Sequence, residues 1–302
     1  MIVKTCVALL TGALVVLAPM PAANPADVTI KAAGDIACRP GARVTAGTCQ
    51  QAATAVLLGG AAQVLAIGDT QYDRGALSEY QGSYDPTWGA YKSITKPAVG
   101  DEEYETPNAQ GYRDYFGAAA DPDGDGNLYY SYDVGDWHVI VLDSNCEALP
   151  PGPGTSNGCA NDSAQENWLE DDLQTSNSLC TLAYWHKPFA SSTNQYAKVK
   201  GLFATLFDHD AELVLSGHAH NYERFRPQTP RRAANADGVS QFVVGTGGKS
   251  HRAFGSTVRV NSQFRNATKF GVLELSLHPS SYNWIFRATD GTTLDPGSAT
   301  CH

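Results

Sequence analysis

Three apolar, β-rich runs of this chain end on the same dipeptide. DVTIKAAGD closes on Gly34-Asp35, AQVLAIGD on Gly68-Asp69 and KPAVGD on Gly100-Asp101. A short unbroken apolar run reads as a buried strand. Between the first two, QQAATAVLLGG reads as a helix stopped by its Gly pair. Two later runs, CTLAYWHKP and AELVLSGHAH, end on His186 and on His218 and His220. Loops at the carboxyl ends of adjacent strands converge in space, so these residues should meet at one sheet edge. Further along, LYYSYDVGDWHVIVLDS and FGVLELSLHPSSYNWIFRAT each read as a hairpin. Strands alternating with helices, followed by hairpins, predict an α/β chain of two mixed sheets packed face to face with helices outside. No repeat or long linker interrupts residues 27–302, which read as one domain.

Composition narrows the partners. The 302 residues are 42% hydrophobic and 17% charged, with a formal charge of −10. That balance buries a sizeable core and offers no basic face for nucleic acid. TPRRAAN is the densest basic spot and reads as a solvated loop. Net acidity also repels anionic membranes, so an anionic substrate needs local positive charge, most simply a metal. No pattern identifies a protein partner.

The N-terminal stretch, residues 1–26, joins one Lys to an apolar run from Cys6 to about Ala18, then small residues and prolines. This is the layout of a secretory signal peptide, with cleavage expected between Ala22 and Ala26. The run is shorter than the roughly 20 residues a spanning helix needs. The mature protein is therefore expected outside the cytoplasm, without stable membrane insertion. Without Cys6, six cysteines remain, and six in an exported chain suggest three disulfides. Proximity favours Cys38–Cys49 and Cys146–Cys159, which leaves Cys180–Cys301. No CxxC spacing supports a thiolate metal site.

The strand ends supply a chemical set: Asp35, Asp69, Tyr72, Asp101, His186, His218 and His220. Singly, each has a plainer meaning, since Gly-Asp after a strand is most often a turn or helix cap. Gathered at one edge they crowd like charges and are costly to hold without a cation. Mixed oxygen and imidazole donors suit zinc, iron or manganese better than calcium. His218 and His220 lie on one side if their segment is extended, and could then chelate as a pair. DPDGDGN, residues 121–127, begins like a calcium loop, but Tyr132 stands where a glutamate is needed and flanking helices are missing. A solvated acidic turn is the simpler expectation there.

The ordered set Asp, Asp-x-x-Tyr, Gly-Asp, His, Gly-His-x-His, together with GDTQY, QENWLEDDL, LAYWHKP, SGHAHNYERF and VVGTGG, resembles the calcineurin-like metallophosphoesterases. Within that superfamily it looks like the secreted bacterial type of the purple acid phosphatase-like branch, from about residue 28 to the end. The resemblance implies a four-layer α/β/β/α sandwich and two metal ions, iron with zinc, manganese or a second iron. It implies hydrolysis of a small phosphate ester, a monoester first and a diester next, by a metal-bound hydroxide. Carried over by position, Asp35, Asp69, Tyr72 and His220 would hold one ion and Asp69 would bridge. Asp101, His186 and His218 would hold the other, with Asp69, His218, Glu102 and Arg224 nearest the chemistry. Tyr72 is the family's sign of trivalent iron; the plainer alternative is that it packs against the site.

One motif departs from the family. The resemblance leads to Gly-Asn-His-Glu at residues 100–103, and the chain has Gly100-Asp101-Glu102-Glu103. Asp101 can still bind metal and adds a negative charge. Glu102 stands where the family has a histidine that steadies the phosphoryl oxygens or protonates the leaving group. Ionised, it would repel phosphate by about 4 kcal/mol at about 4 Å and an effective dielectric of about 20, or about 1000-fold in rate. Three outcomes stand: Glu102 is the acid; another donor such as His251 or His209 replaces it; or the chain is a weak or inactive metal- and phosphate-binding protein on the same scaffold. Glu103 is expected to orient the loop by hydrogen bonding. Arg224 either contacts substrate or braces its loop by pairing with Glu223 or another acid. Gly245-Thr-Gly-Gly248 lacks a P-loop Lys-Ser/Thr pair and reads as backbone passing beneath the metal centre. His138 reads as a packing histidine.

Overall fold

The computed structural model describes residues 27–302. The expected signal segment, residues 1–26, lies outside the described residues. In chain order the elements are β1 (Val28–Ala33), α1 (Gln51–Val56), β2 (Gln63–Ile67), α2 (Leu77–Glu79), β3 (Thr95–Ala98), α3 (Gln110–Phe116), β4 (Tyr130–Val134), β5 (Trp137–Val141) and α4 (Ala164–Thr175). Then follow β6 (Cys180–Tyr184), α5 (Lys200–Asp208), β7 (Leu213–Ser216), β8 (Tyr222–Gln228), β9 (Val239–Val244), β10 (Ser262–Asn266), β11 (Gly271–His278), β12 (Ser281–Ala288) and β13 (Thr293–Thr300).

These strands form a six-stranded sheet, β13-β12-β11-β1-β2-β3, and a seven-stranded sheet, β10-β8-β9-β7-β6-β5-β4. Strands β1, β2 and β3 are parallel, as are β5, β6, β7 and β9, and antiparallel strands complete both sheets. The architecture is the predicted pair of mixed sheets flanked by helices.

Alternation along the strands explains the layering. Val139, Leu182 and Leu213 join a core shared with Ile30 and Leu273 of the first sheet. Their neighbours Ile140, Ala183 and Val214 face the other way, onto Leu169 of α4 and Leu202 of α5. A strand exposes successive side chains on opposite faces. Because both faces here are covered, the strands read as unbroken apolar runs, and each buried Leu or Val contributes about 2 kcal/mol of transfer free energy. Helix α4 begins as expected: Ser163 Oγ accepts the Glu166 N–H at 3.3 Å. The Glu166 carboxylate reaches back to the Asp162 N–H at 2.9 Å, one residue before the cap.

The three disulfides are Cys38–Cys49, Cys146–Cys159 and Cys180–Cys301. The last spans 121 residues and ties the end of the chain to β6. Closing so long a loop removes roughly 4–5 kcal/mol of unfolded-state entropy. Strands β8, β10 and β13 are not evident in the sequence. β10 and β13 are sheet edges, and Pro296 is tolerated at the irregularity in pairing between Leu294 and Gly297 of β13 and Phe286 and Trp284 of β12.

Candidate metal centre

Five loops meet at one end of the sandwich. Asp35 follows β1, Asp69 and Tyr72 follow β2, Asp101 follows β3, His186 follows β6, and His218 and His220 follow β7. Tyr72 Oη lies 2.9 Å from Asp35 Oδ1, 2.7 Å from Asp69 Oδ2 and 3.2 Å from His220 Nε2. His220 Nε2 is 3.1 Å from Asp35 Oδ1, which closes a first group. In a second group, His186 Nε2 lies 3.2 Å from Asp69 Oδ2 and 3.1 Å from Asp101 Oδ1. His218 Nδ1 lies 3.1 Å from Asp101 Oδ1 and 3.3 Å from His186 Nε2. Asp69 Oδ2 belongs to both groups.

The donors fit cations. Asp101 Oδ1 is buried and accepts no hydrogen bond, although two ring nitrogens stand 3.1 Å away. The contacts have the distance of hydrogen bonds without their angles, as lone pairs aimed at a common point do. The imidazoles are oriented for the same task. His186 Nδ1 donates to the Ile67 carbonyl at 2.9 Å, and His220 Nδ1 meets Ser250 Oγ at 2.8 Å. Each Nε2 is thereby left to face the centre.

The backbone is bent to deliver these groups. Asp35, Asp69, His218 and His220 take φ of 58°, 46°, 66° and 51°. Left-handed conformations in such residues cost about 1–3 kcal/mol each and persist where packing over-determines them. The His218–His220 segment is therefore not extended, and the expected chelating pair is corrected: His220 joins the first group and His218 the second. Gly245 passes beneath, where an added Cβ would sit 2.7 Å from Asp35 Oδ2.

Charge tells the same story. Burial pushes Asp35 up, but His220, His186 and His218 outweigh it and bring the carboxyl down to about 2. Asp101 is likewise held below the usual carboxylate range against its burial, by His186 and His218. Burial opposes charge on His186, yet Asp69 and Asp101 raise it well above an ordinary imidazole. Burial and then Asp35 and Asp69 raise the Tyr72 phenol far above its usual range. Protons stand in for positive charge here, and a metal ion would displace them.

The GDEE loop splits into distinct jobs. The fully buried Glu103 carboxylate accepts four backbone N–H groups: Asp69 at 3.0 Å, Thr70 at 2.8 Å, Gln71 at 3.2 Å and Gly100 at 2.7 Å. Thr70 and Tyr80 hydroxyls add bonds of 2.9 and 3.1 Å. Glu103 thus locks the β2 loop to the β3 loop, although burial and Asp69 push it up to about 7. Glu102 uses its N–H to hold Asp69 Oδ1 at 3.0 Å, and its side chain is half-buried. Burial, then Asp69 and Asp101, push its carboxyl up to about 8, while Lys249 pulls it down.

Other expectations need correction. Arg224 makes paired bonds of 2.8 and 2.7 Å to Asp295 in β13 and also reaches Gln263, so it clasps the two sheets and does not face the centre. The bracing acid is thus Asp295 and not Glu223, which accepts from Ser192 and Ser262. His209 pairs with Glu170 at 3.1 Å on the helical layer. His251 stacks on Phe270 with ring centres 3.7 Å apart. In the 121–127 turn, Asp121 accepts the Gly126 N–H at 3.0 Å, and Arg113 donates to the Gly126 carbonyl at 2.9 Å. A guanidinium thus supplies the cation of that loop. His138 is buried between Asp133 at 2.9 Å and Asp172 at 2.8 Å. Cys180, Glu212 and Cys301 also cluster, but the two sulfurs are joined in a disulfide. Sequence reasoning missed Ser250 and Lys249, whose one signal was their place directly after the Gly245–Gly248 loop.

Comparison with known proteins agrees with this fold. No protein-family model matches the chain. It is 30% identical over 131 residues to purple acid phosphatase 22 of Arabidopsis thaliana, a match covering 40% of this chain and 27% of that protein. Its fold is similar to that of a purple acid phosphatase from yellow lupin (Lupinus luteus) seeds, with a TM-score of 0.73 and 17% identity over 93% of this chain and 55% of the lupin chain. A dimetal phosphatase from Danio rerio superposes with a TM-score of 0.58 and 11% identity, covering 91% of this chain and 99% of that one. The chain therefore spans about a quarter of the length of the Arabidopsis relative and about half of the lupin chain.

Proposed function

We propose that this chain, a member of the purple acid phosphatase-like branch of the calcineurin-like metallophosphoesterases, is a secreted hydrolase of small phosphate esters that works with two metal ions. The observation that carries the proposal is Asp69 Oδ2, shared by two groups of donors. Asp35, Tyr72 and His220 would hold one ion with Asp69, and Asp101, His186 and His218 the other. The phenol of Tyr72 favours Fe(III) at the first position, with zinc, manganese or a second iron at the other. Bound there, the ions would supply Lewis acidity toward phosphoryl oxygens and a water of lowered pKa. Secretion is supported by the three disulfides. Among the described residues no helix is long and apolar enough to cross a membrane.

The chain's own residues set up the reaction. Glu103 holds the Asp69 backbone N–H and the Glu102 N–H holds Asp69 Oδ1, which together fix that carboxylate in place. Ser250 and the Ile67 carbonyl fix the imidazoles of His220 and His186. Glu102, half-buried at the mouth and pushed toward its protonated form, is placed to donate a proton to the leaving oxygen. The decisive assay compares native chain, Glu102→Ala and Glu102→His on a phosphomonoester and a phosphodiester. Loss of a general acid costs about 100-fold or more, so Glu102→Ala should lower kcat by that factor with metal content unchanged. Equal rates for native and Glu102→Ala would place the acid elsewhere. A native chain that turns over neither ester, while Glu102→His gains strongly, would favour the alternative of a weak or inactive metal- and phosphate-binding protein.

Asp101→Asn tests the second ion separately. It keeps an oxygen and removes a charge, so one of the two ions should leave at lower chelator concentration. Unaltered retention of both ions would remove Asp101 from the ligand set.

A further inference from the structure

Lys249 has no part in the fold's core or in the roles above, yet its position is tightly set. Its N–H donates to the Asp35 carbonyl at 2.9 Å. Its own carbonyl accepts the Thr48 hydroxyl at 2.6 Å and the Cys49 N–H at 3.1 Å, inside the loop closed by Cys38–Cys49. The side chain then crosses the Tyr72 ring, with Nζ 4.0 Å from the ring centre, and ends 2.6 Å from Asp73 Oδ1. Asp73 is half-exposed and also lies 3.9 Å from Arg39.

The surroundings leave a task for such a charge. Asp35, Asp69 and Asp101 present carboxylates to anything entering the centre, and an arriving phosphate is itself an anion. Metal ions would answer the buried carboxylates, and Glu102 serves the leaving oxygen, so the outer phosphate oxygens still call for a donor. An ammonium is a compact point charge with three rotatable donors and suits such oxygens. An exposed Lys–Asp pair is worth only about 0–1 kcal/mol to folding, so the clasp on Asp73 gives little structural reason for the placement. We propose that Lys249 is a substrate-binding residue of this site, whose ammonium exchanges Asp73 for a phosphate oxygen. The inference rests on the phosphoesterase function proposed above.

The test uses the metal-loaded full chain, an aryl phosphate monoester as substrate and inorganic phosphate as competing ligand. In Lys249→Met, KM and the phosphate inhibition constant should both rise about tenfold or more, the size of one lost charge-assisted hydrogen bond. The change in kcat should be smaller, with metal content and melting temperature kept. Lys249→Arg should recover most of the loss. Asp73→Asn should tighten phosphate binding, because it frees the ammonium and removes a competing anion. The inference is overturned if Lys249→Met leaves both constants unchanged. It is also overturned if Asp73→Asn weakens phosphate as much as Lys249→Met does, the mark of a structural clasp. A native, metal-loaded chain that neither binds phosphate nor hydrolyses the ester would overturn the phosphoesterase function and this inference together. Native turnover with insensitive Lys249 variants would overturn the inference alone.

Discussion

Asp69→Ala should leave the protein nearly free of metal and lower phosphoesterase activity by more than about 100-fold, beyond the upper end of what loss of an outer-shell partner costs. Its Oδ2 is the atom both donor groups share, 2.7 Å from Tyr72 Oη and 3.2 Å from His186 Nε2. Its Oδ1 accepts the Glu102 N–H at 3.0 Å, so the same substitution also loosens the GDEE loop. The two positions should empty together, whereas Asp35→Ala and Asp101→Ala should each empty one first. Metal content by elemental analysis, measured beside activity, separates these outcomes. Retention of one full equivalent in Asp69→Ala would mean that the two groups do not share this oxygen.

Glu103→Ala carries the largest expected loss of stability, about 4 kcal/mol or more. It strands four buried backbone N–H groups, and each unsatisfied donor costs about 1–3 kcal/mol, without simple additivity. Glu103→Gln should fall between, because the new NH2 must face some of those same donors. Denaturant melts on metal-free protein give the cleanest comparison, since bound metal adds its own stabilisation to the native state. A secondary effect follows for the site. The loops that carry Asp69 and Asp101 lose their common anchor, so metal affinity should fall even though the Glu103 carboxylate meets only the backbone of Asp69 and no donor oxygen or nitrogen. Glu103→Gln as stable as the native chain would show that the network contributes little.

Much of the centre was legible before the fold. A Gly-Asp or a histidine directly after an apolar run is a local signal, and parallel strands turn that signal into spatial convergence. All seven expected donors therefore meet in the two groups. What stayed hidden depended on long-range partners or on backbone strain. His218 and His220 part company because both residues adopt left-handed conformations, which spacing on an extended strand does not anticipate. Arg224 finds Asp295 on the other sheet, 71 residues away, a pairing no local pattern announces. β10 lies at a sheet edge, where polar residues on its open side mask the alternation that marks a strand. Ser250, which orients His220, sits just past a glycine loop legible only as backbone passing beneath the centre, so its side-chain role had no local signal.

The central claim is that one oxygen of Asp69 links two metal positions, and metal stoichiometry tests it most directly. The full chain, purified without chelator and reconstituted with iron and zinc, should hold about two ions per molecule. Both should be lost together in Asp69→Ala. A chain that takes up no metal above background, or that takes up both ions undiminished in Asp69→Ala, would contradict it.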